Sequence, residues 1–144
     1  MDNCEPLVAS GQEDIAKKVH FTCEDIVSNL LDGLSAAEPA NTPAFAAATP
    51  FDLVVSFGFL HHIPSFDLRQ QFLLEALSQV KPGGYLVVSF WQFLNDPRLA
   101  AKAATVTAEG RAAHCLPTFQ ENDFLLGWQH AEGTYRFCHH TPED

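Results

Sequence analysis

Carboxylates and a pair of histidines fall at three points of the chain where a strand is expected to end or a helix to begin. Asp2 lies ahead of the first predicted helix, Glu24 and Asp25 follow a short predicted strand, and residues 56–62 follow a strong one. Ligands of open α/β sheets bind beyond the carboxyl ends of the strands. A carboxylate there accepts hydrogen bonds from a ribose diol or an exocyclic amine. The pattern favours a nucleoside-like ligand without phosphates, with solvated acids that cap helices as the alternative.

Histidine and cysteine are the side chains that would hold a transition metal. Their spacing in this sequence does not favour a metal site. His61–His62 and His139–His140 are adjacent pairs, whereas helical ligands on one face lie four residues apart. No C-x-x-C pair occurs among the four cysteines, which are Cys4, Cys23, Cys115 and Cys138. The sequence therefore predicts no metal site, and it predicts reduced, structural thiols.

The composition is that of a folded, acidic protein. Of the 144 residues, 47% are hydrophobic and 11% aromatic, which is too apolar for a disordered chain. Apolar runs are far shorter than the roughly 20 residues of a membrane helix, and no signal segment is apparent, so we expect a cytoplasmic protein without a membrane partner. Eight basic and eighteen acidic residues give a net charge of −10. Nucleic-acid binders concentrate positive charge, so a small-molecule substrate or a basic partner subunit fits better.

The first third of the chain is predicted to form short helices and a short strand. Apolar residues at helical spacing predict a helix over 5–18, followed by a short strand at 19–21. A short apolar helix or turn is predicted over 26–34, ended by Gly33. The segment 35–50 is rich in alanine and proline and is predicted to be a loop insertion that packs little.

A strand–helix–strand unit is the strongest pattern in the chain. The run at 51–57 (FDLVVSF) reads as a strand of the kind that is buried on both faces of a parallel sheet. Ser65 is predicted to cap an amphipathic helix that runs to Val80, and Pro82-Gly83-Gly84 predicts a tight turn. A second buried strand follows at 85–90 (YLVVSF), so the two strands are expected to be parallel.

The rest of the chain predicts a helix over 96–109 and two strands, at 123–128 and 134–139, joined as a hairpin. The whole pattern is α/β, ending in an antiparallel pair of strands.

The motifs of the strand–helix–strand unit resemble those of class I S-adenosylmethionine-dependent methyltransferases of the type 11 domain. The run FDLVVSFGFLHHIP, the helix end LSQVKPGG and the strand YLVVSFW match that family in order and spacing. The resemblance implies a Rossmann-like sheet and S-adenosylmethionine as cofactor. It also implies cofactor contacts: Asp2 to the ribose hydroxyls, Asp25 with Ile26 at the adenine amine (Glu24 being the competitor), and Ser56 and Phe57 along the pocket.

The tail is similar to the terminal hairpin of methyltransferases related to the tRNA wobble-uridine enzymes, which convert a carboxymethyl group on uridine to its ester. The segments NDFLLGWQ and TYRFCHH carry this likeness through Trp128, Arg136, Phe137 and His139. It implies that Arg136 and His139 bind an acidic acceptor, with surface pairing to nearby acids as the alternative. Trp91 and Trp128 are either substrate platforms or core residues.

His61 and His62 are the candidates for a general base, and the alternative is a packed histidine of the strand-to-helix turn. Methyl transfer from a sulfonium is an in-line displacement that depends on proximity and orientation. A carboxylate acceptor would need no base at all.

One family feature is missing from the sequence. Members begin with a strand and a glycine-rich turn (E/D-x-G-x-G-x-G), and none of the eight glycines here forms such a cluster. We therefore expect residues 1–144 to be an incomplete domain, lacking the first strand, and to bind S-adenosylmethionine weakly or not at all. The intact enzyme would methylate a small molecule or a tRNA base; the alternative is a non-catalytic Rossmann-like remnant that serves as a subunit or scaffold.

Overall fold

The computed structural model describes residues 22, 24–35, 49–114, 119–127 and 135–143. The chain divides into two compact units, Met1–Ala47 and Ala48–Asp144. Asp2, the helix predicted over 5–18, the strand predicted at 19–21 and most of the alanine-rich segment lie outside the described residues. The expectation that residues 1–144 form one incomplete domain stays a prediction.

In the first unit, the segment 26–34, predicted as a helix or a turn, lies in helix α1 (Ile26–Ser35). Asp25 caps it: one carboxylate oxygen accepts the Ser28 backbone N–H at 3.1 Å, and the other accepts the Ser28 hydroxyl at 3.0 Å. The Asp25 carbonyl accepts the Asn29 N–H, also at 3.1 Å. These bonds satisfy donors that the start of a helix leaves without intrahelical partners.

The second unit opens with the predicted strand–helix–strand unit. Strand β1 (Phe51–Ser56) leads through a 3-10 turn (Leu60–His62) to helix α2 (Phe66–Ser78) and strand β2 (Val80–Val88). The two strands are parallel, as predicted. Ser65 is confirmed as the cap of α2, because its hydroxyl accepts the Leu68 N–H at 3.3 Å.

The start of β2 differs from the tight turn that the sequence predicts. Pairing passes from Phe51 opposite Val80 directly to Leu53 opposite Tyr85, so residues 81–84 bulge out of the ladder. Gly83 has φ +83°, where a side chain would be strained. A Cβ on Gly84 would lie 2.7 Å from the Asp52 carbonyl oxygen. The Pro-Gly-Gly motif therefore forms a bulge inside a strand instead of a turn ahead of it.

The two faces of the β1–β2 pair are covered unequally. Helix α2 packs against β2, with Leu68, Phe72 and Ala76 buried along the helix. On the other face, the odd-numbered strand residues stay exposed; they are Phe51, Leu53, Val55, Tyr85 and Val87. The prediction that both strands are buried on both faces is therefore wrong for this face. An apolar strand shows that a face is suited to burial, but the covering element is not encoded in the strand itself.

A second layer follows β2. Helix α3 (Pro97–His114) packs against strand β3 (Asp123–Gly127), which pairs antiparallel with β4 (Tyr135–His139). The core of this layer is formed by Phe93, Ala103, Leu126 and Cys138. Helix α3 extends beyond the predicted end at 109, and both strands lie where they were predicted. The residues that join β3 to β4 lie outside the described part, so the hairpin turn stays a prediction.

The architecture is mixed α/β, and its described strands form two sheets of two strands each. One backbone hydrogen bond, from Thr141 N–H to the Trp91 carbonyl at 3.4 Å, links the chain after β4 to the chain after β2. No described helix is both long and apolar enough to cross a membrane.

Candidate active site

The carboxyl ends of β1 and β2 are tied together by two serines. The Ser89 N–H donates to the Ser56 carbonyl at 3.0 Å, and the Ser89 hydroxyl accepts the Gly58 N–H at 2.8 Å. Gly58 has φ +66°, which favours glycine at the point where the chain leaves the strand. Ser56 is buried, and the neighbouring Phe57 side chain is 66% exposed. Ser89 was not predicted as part of a site, although both strands end in the same letters, LVVSF.

The 3-10 turn after β1 places His62 against β4. Its Nδ1 lies 2.9 Å from the Phe137 carbonyl, which can only accept, so Nδ1 carries the proton. Burial lowers the pKa of His62, the Phe137 bond opposes that shift, and the positive charge of Arg136 adds to it. His62 is therefore held in one tautomer by the strand that carries Arg136.

His61 is the more deeply buried histidine of the pair. Its ring centroid lies 4.1 Å from that of His62 and 4.8 Å from that of Trp91. Its Nδ1 is buried and makes no hydrogen bond in the described structure. Burial, with smaller contributions from His62 and Arg136, lowers its pKa from 6.5 to about 4. The ring is therefore neutral at pH 7, and so low a pKa makes it a poor general base near neutrality.

Arg136 completes this cluster from β4. Its guanidinium carbon lies 5.4 Å from the centroid of the Trp91 ring, a cation–π arrangement. The same charge lowers the pKa of both His61 and His62. A neutral imidazole, an indole and a guanidinium thus meet just beyond the ends of β1 and β2. We call His61, Trp91 and Arg136 the acceptor cluster.

His139 belongs to a different set of contacts. It lies three positions from Arg136 on one strand, so the two side chains point to opposite faces. Its Nδ1 is 2.8 Å from Asp123 Oδ1, and Arg69 Nη1 is 3.8 Å from the same oxygen. Arg69 also donates to the Ile63 carbonyl at 3.1 Å, next to the histidine turn. The predicted pair of Arg136 and His139 is therefore not brought together.

Arg69 and Asp123 were missed by sequence reasoning. Arg69 lies three and four residues before Phe72 and Leu73, on the apolar side of the predicted helix, and that placement was the available signal. Asp123 opens a strand, and nothing in its sequence context shows that it lies opposite His139.

Cys138 and His140 make contacts within the second unit. Cys138 is a free, buried thiol whose pKa is raised to about 11, chiefly by burial. His140 Nδ1 accepts the Leu94 N–H at 3.3 Å. Within the described residues, no group of three or more potential ligands is placed to hold a metal ion.

Comparison with known families matches residues 2–88 to the family described as a methyltransferase domain. The matched part is more than half of the chain. This protein belongs to the methyltransferase domain family. No curated protein and no solved structure matches the chain.

The family match places the residues of this methyltransferase domain into two groups. Every predicted cofactor residue lies inside the matched segment, as do His61 and His62. Trp91, Arg136 and His139 lie beyond it, so the match does not bear on the acceptor.

Two described residues, one in each unit, carry groups that suit a nucleoside cofactor. The Asp25 carboxylate is exposed, and its bonds to Ser28 lower its pKa, so it is a charged hydrogen-bond acceptor. Phe57 presents an exposed ring at the end of β1. Asp2 lies outside the described residues, and the sequence has no glycine cluster for the methionine end of S-adenosylmethionine.

Proposed function

We propose that this methyltransferase domain transfers the methyl group of S-adenosylmethionine to a carboxylate acceptor on a small molecule or a tRNA base. The observation that carries the acceptor class is the meeting of Arg136, Trp91 and neutral His61 beyond the carboxyl ends of the parallel strands. The likeness of the tail to the wobble-uridine enzymes supports the same class.

The proposed cofactor contacts are the residues that the family resemblance implies. In the first unit these are Asp2, Asp25 and Ile26, as acceptors and packing for the ribose and adenine. In the second unit they are Ser56 and Phe57, at the end of β1. The cofactor, when bound, supplies a methyl group on a positively charged sulfur.

For the acceptor, the acceptor cluster offers charge and orientation instead of proton transfer. Arg136 carries a planar fork of N–H donors that binds a carboxylate through two parallel bonds. The Trp91 ring restricts where that fork lies. A carboxylate is already ionised at neutral pH, so methylation needs no base, in accord with the low pKa of His61. His139, predicted from the tail to bind the acceptor, is not part of this proposal, because its Nδ1 lies 2.8 Å from Asp123 Oδ1 and its side chain points away from Arg136.

The test is transfer of radiolabelled methyl from millimolar S-adenosylmethionine to a carboxymethyl nucleoside, with the matching amide as a second acceptor. We expect transfer to the acid, and Arg136→Met should lower kcat/KM by about 100-fold, mainly through KM. Arg98→Met is the matched control, because Arg98 is an exposed arginine paired with Asp96. Equal losses in both variants, or a preference for the amide, would contradict the acceptor assignment.

A non-catalytic subunit is the second candidate, and the absence of a glycine cluster from the sequence favours it. Under the enzyme proposal, we expect S-adenosylmethionine to bind in the millimolar range, because the sequence has no glycine cluster of the family's kind for its methionine end. Ligand-detected NMR measures such weak binding directly. No binding and no transfer at about 5 mM cofactor would favour the subunit, since occupancy at that level exceeds half for a millimolar site.

A further inference from the structure

The exposed side of the β1–β2 pair is an apolar surface inside an otherwise acidic protein. Its members are the odd-numbered residues of the two strands, and Phe57 follows at the end of β1. We call it the open sheet face; it consists of Phe51, Leu53, Val55, Phe57, Tyr85 and Val87. The pairing register sets Leu53 beside Tyr85 and Val55 beside Val87, so the face is continuous across the strands.

The size of this face is that of an interface. Its six side chains are between 42% and 72% exposed. With about 200 Å² for a large apolar side chain, they offer roughly 700 Å². Surface patches on monomers seldom exceed about 600 Å², and one partner of a standard interface contributes about 800 Å². Parallel sheets are ordinarily covered on both faces, which makes an uncovered one unusual.

The charge pattern selects the occupant. No member of the open sheet face is charged, and the described ion pair between the two strands, Lys81 with Asp52, is closed at 3.0 Å. A basic partner would find no acidic residue within the face to pair with. A second copy presents a surface of equal size and chemistry, and no like charges are opposed at its centre.

We propose that the open sheet face is the interface of a homodimer, formed by two copies packed sheet against sheet about a two-fold axis. Two such faces bury roughly 1,400 Å² in total, within the range of stable complexes. Sheets that pack face to face lie about 10 Å apart with their apolar side chains interdigitated. The proposal uses none of the acceptor cluster and shares one residue, Phe57, with the proposed cofactor contacts; the variants that test it are therefore placed at Tyr85 and Leu53.

The experiment is sedimentation of the full chain over a dilution series, with the variants Tyr85→Lys and Leu53→Lys. The Tyr85 side chain is 72% exposed, so the lysine there is expected to leave the fold intact, as circular dichroism will show. We expect a monomer–dimer equilibrium that each variant weakens by at least about 30-fold, because a buried unpaired lysine opposes association. Leu74→Lys is the matched control: Leu74 is 61% exposed on α2, and its variant should dimerise like the parent.

Salt separates a homodimer from other forms of association. Two copies with a charge of −10 repel each other, so added salt should strengthen the dimer. A monomer at all concentrations would overturn the proposal, as would a dimer that Tyr85→Lys and Leu53→Lys leave unchanged. Equal weakening by Leu74→Lys, or a dimer that salt dissociates, would also overturn it.

Discussion

At the scale of single residues, His61 couples the site to pH. Burial lowers its pKa from 6.5 to about 4, so the unfolded chain binds a proton in that window and the folded protein does not. The stability contributed by neutral His61 is therefore complete above about pH 6.5 and is lost as the pH falls toward 4. We expect the free energy of unfolding to drop by about 2–3 kcal/mol over this window because of His61 alone.

Urea unfolding of the parent and of His61→Phe, between about pH 7.5 and 4.5, measures this contribution. Phenylalanine keeps the ring and cannot take a proton. The parent should lose about 2–3 kcal/mol more than the variant as the solution is acidified. Parallel slopes for the two proteins would show that His61 is not the group responsible.

Asp123 contacts three residues from different parts of the second unit. Its Oδ1 faces both His139 and Arg69, and its Oδ2 accepts the Gln120 N–H at 3.0 Å. Asp123→Asn leaves the buried Arg69 without a counter-charge, so we expect a loss of about 3–5 kcal/mol in urea unfolding. Asp52→Asn is the control, because its pair with Lys81 is exposed and should be worth less than about 1 kcal/mol. A similar small loss in both variants would contradict a structural role for Asp123.

At the scale of elements, Gly110 of α3 lies against Leu125 of β3. A Cβ on this residue would meet the Leu125 side chain, although alanine is intrinsically better than glycine within a helix. Gly110→Ala is expected to lower the unfolding midpoint, at a net cost of about 1–3 kcal/mol, because the well-packed Leu125 must move. At Gly127 a Cβ meets nothing within 4 Å, so Gly127→Ala should leave stability within about 1 kcal/mol of the parent. A Gly110→Ala protein that is more stable than the parent would contradict this prediction, because it would mean that the Leu125 side chain can move without a loss of stability.

The elements that sequence reasoning found are those whose signal is local. Ser65, the apolar stripe of α2 and the two LVVSF strands lie within one stretch, and the structure confirms them. The contacts that it missed join distant parts of the chain. Arg69 reaches Asp123, and His62 reaches Phe137, across more than fifty residues. The position of Arg136 over Trp91 likewise depends on how β4 docks, which no periodicity encodes.

At the scale of the whole molecule, the net charge favours a free carboxymethyl nucleoside over a tRNA as the acceptor. Phosphate neutralisation supplies most of the affinity of proteins for nucleic acids, and this chain has eight basic against eighteen acidic residues. The acceptor cluster itself contributes one cation, Arg136. A tRNA would therefore need a basic partner to hold it, whereas a free carboxymethyl nucleoside would not.

We accordingly expect the chain alone to bind labelled tRNA more weakly than about 100 µM at about 150 mM salt, by fluorescence anisotropy. Lowering the salt to about 50 mM should change little, since few counterions are released where few phosphates are neutralised. The matched comparison is methylation of the free carboxymethyl nucleoside, which should proceed at either salt concentration. Micromolar tRNA binding that weakens steeply with salt would contradict this prediction, because it would require a basic surface on a chain whose net charge is −10.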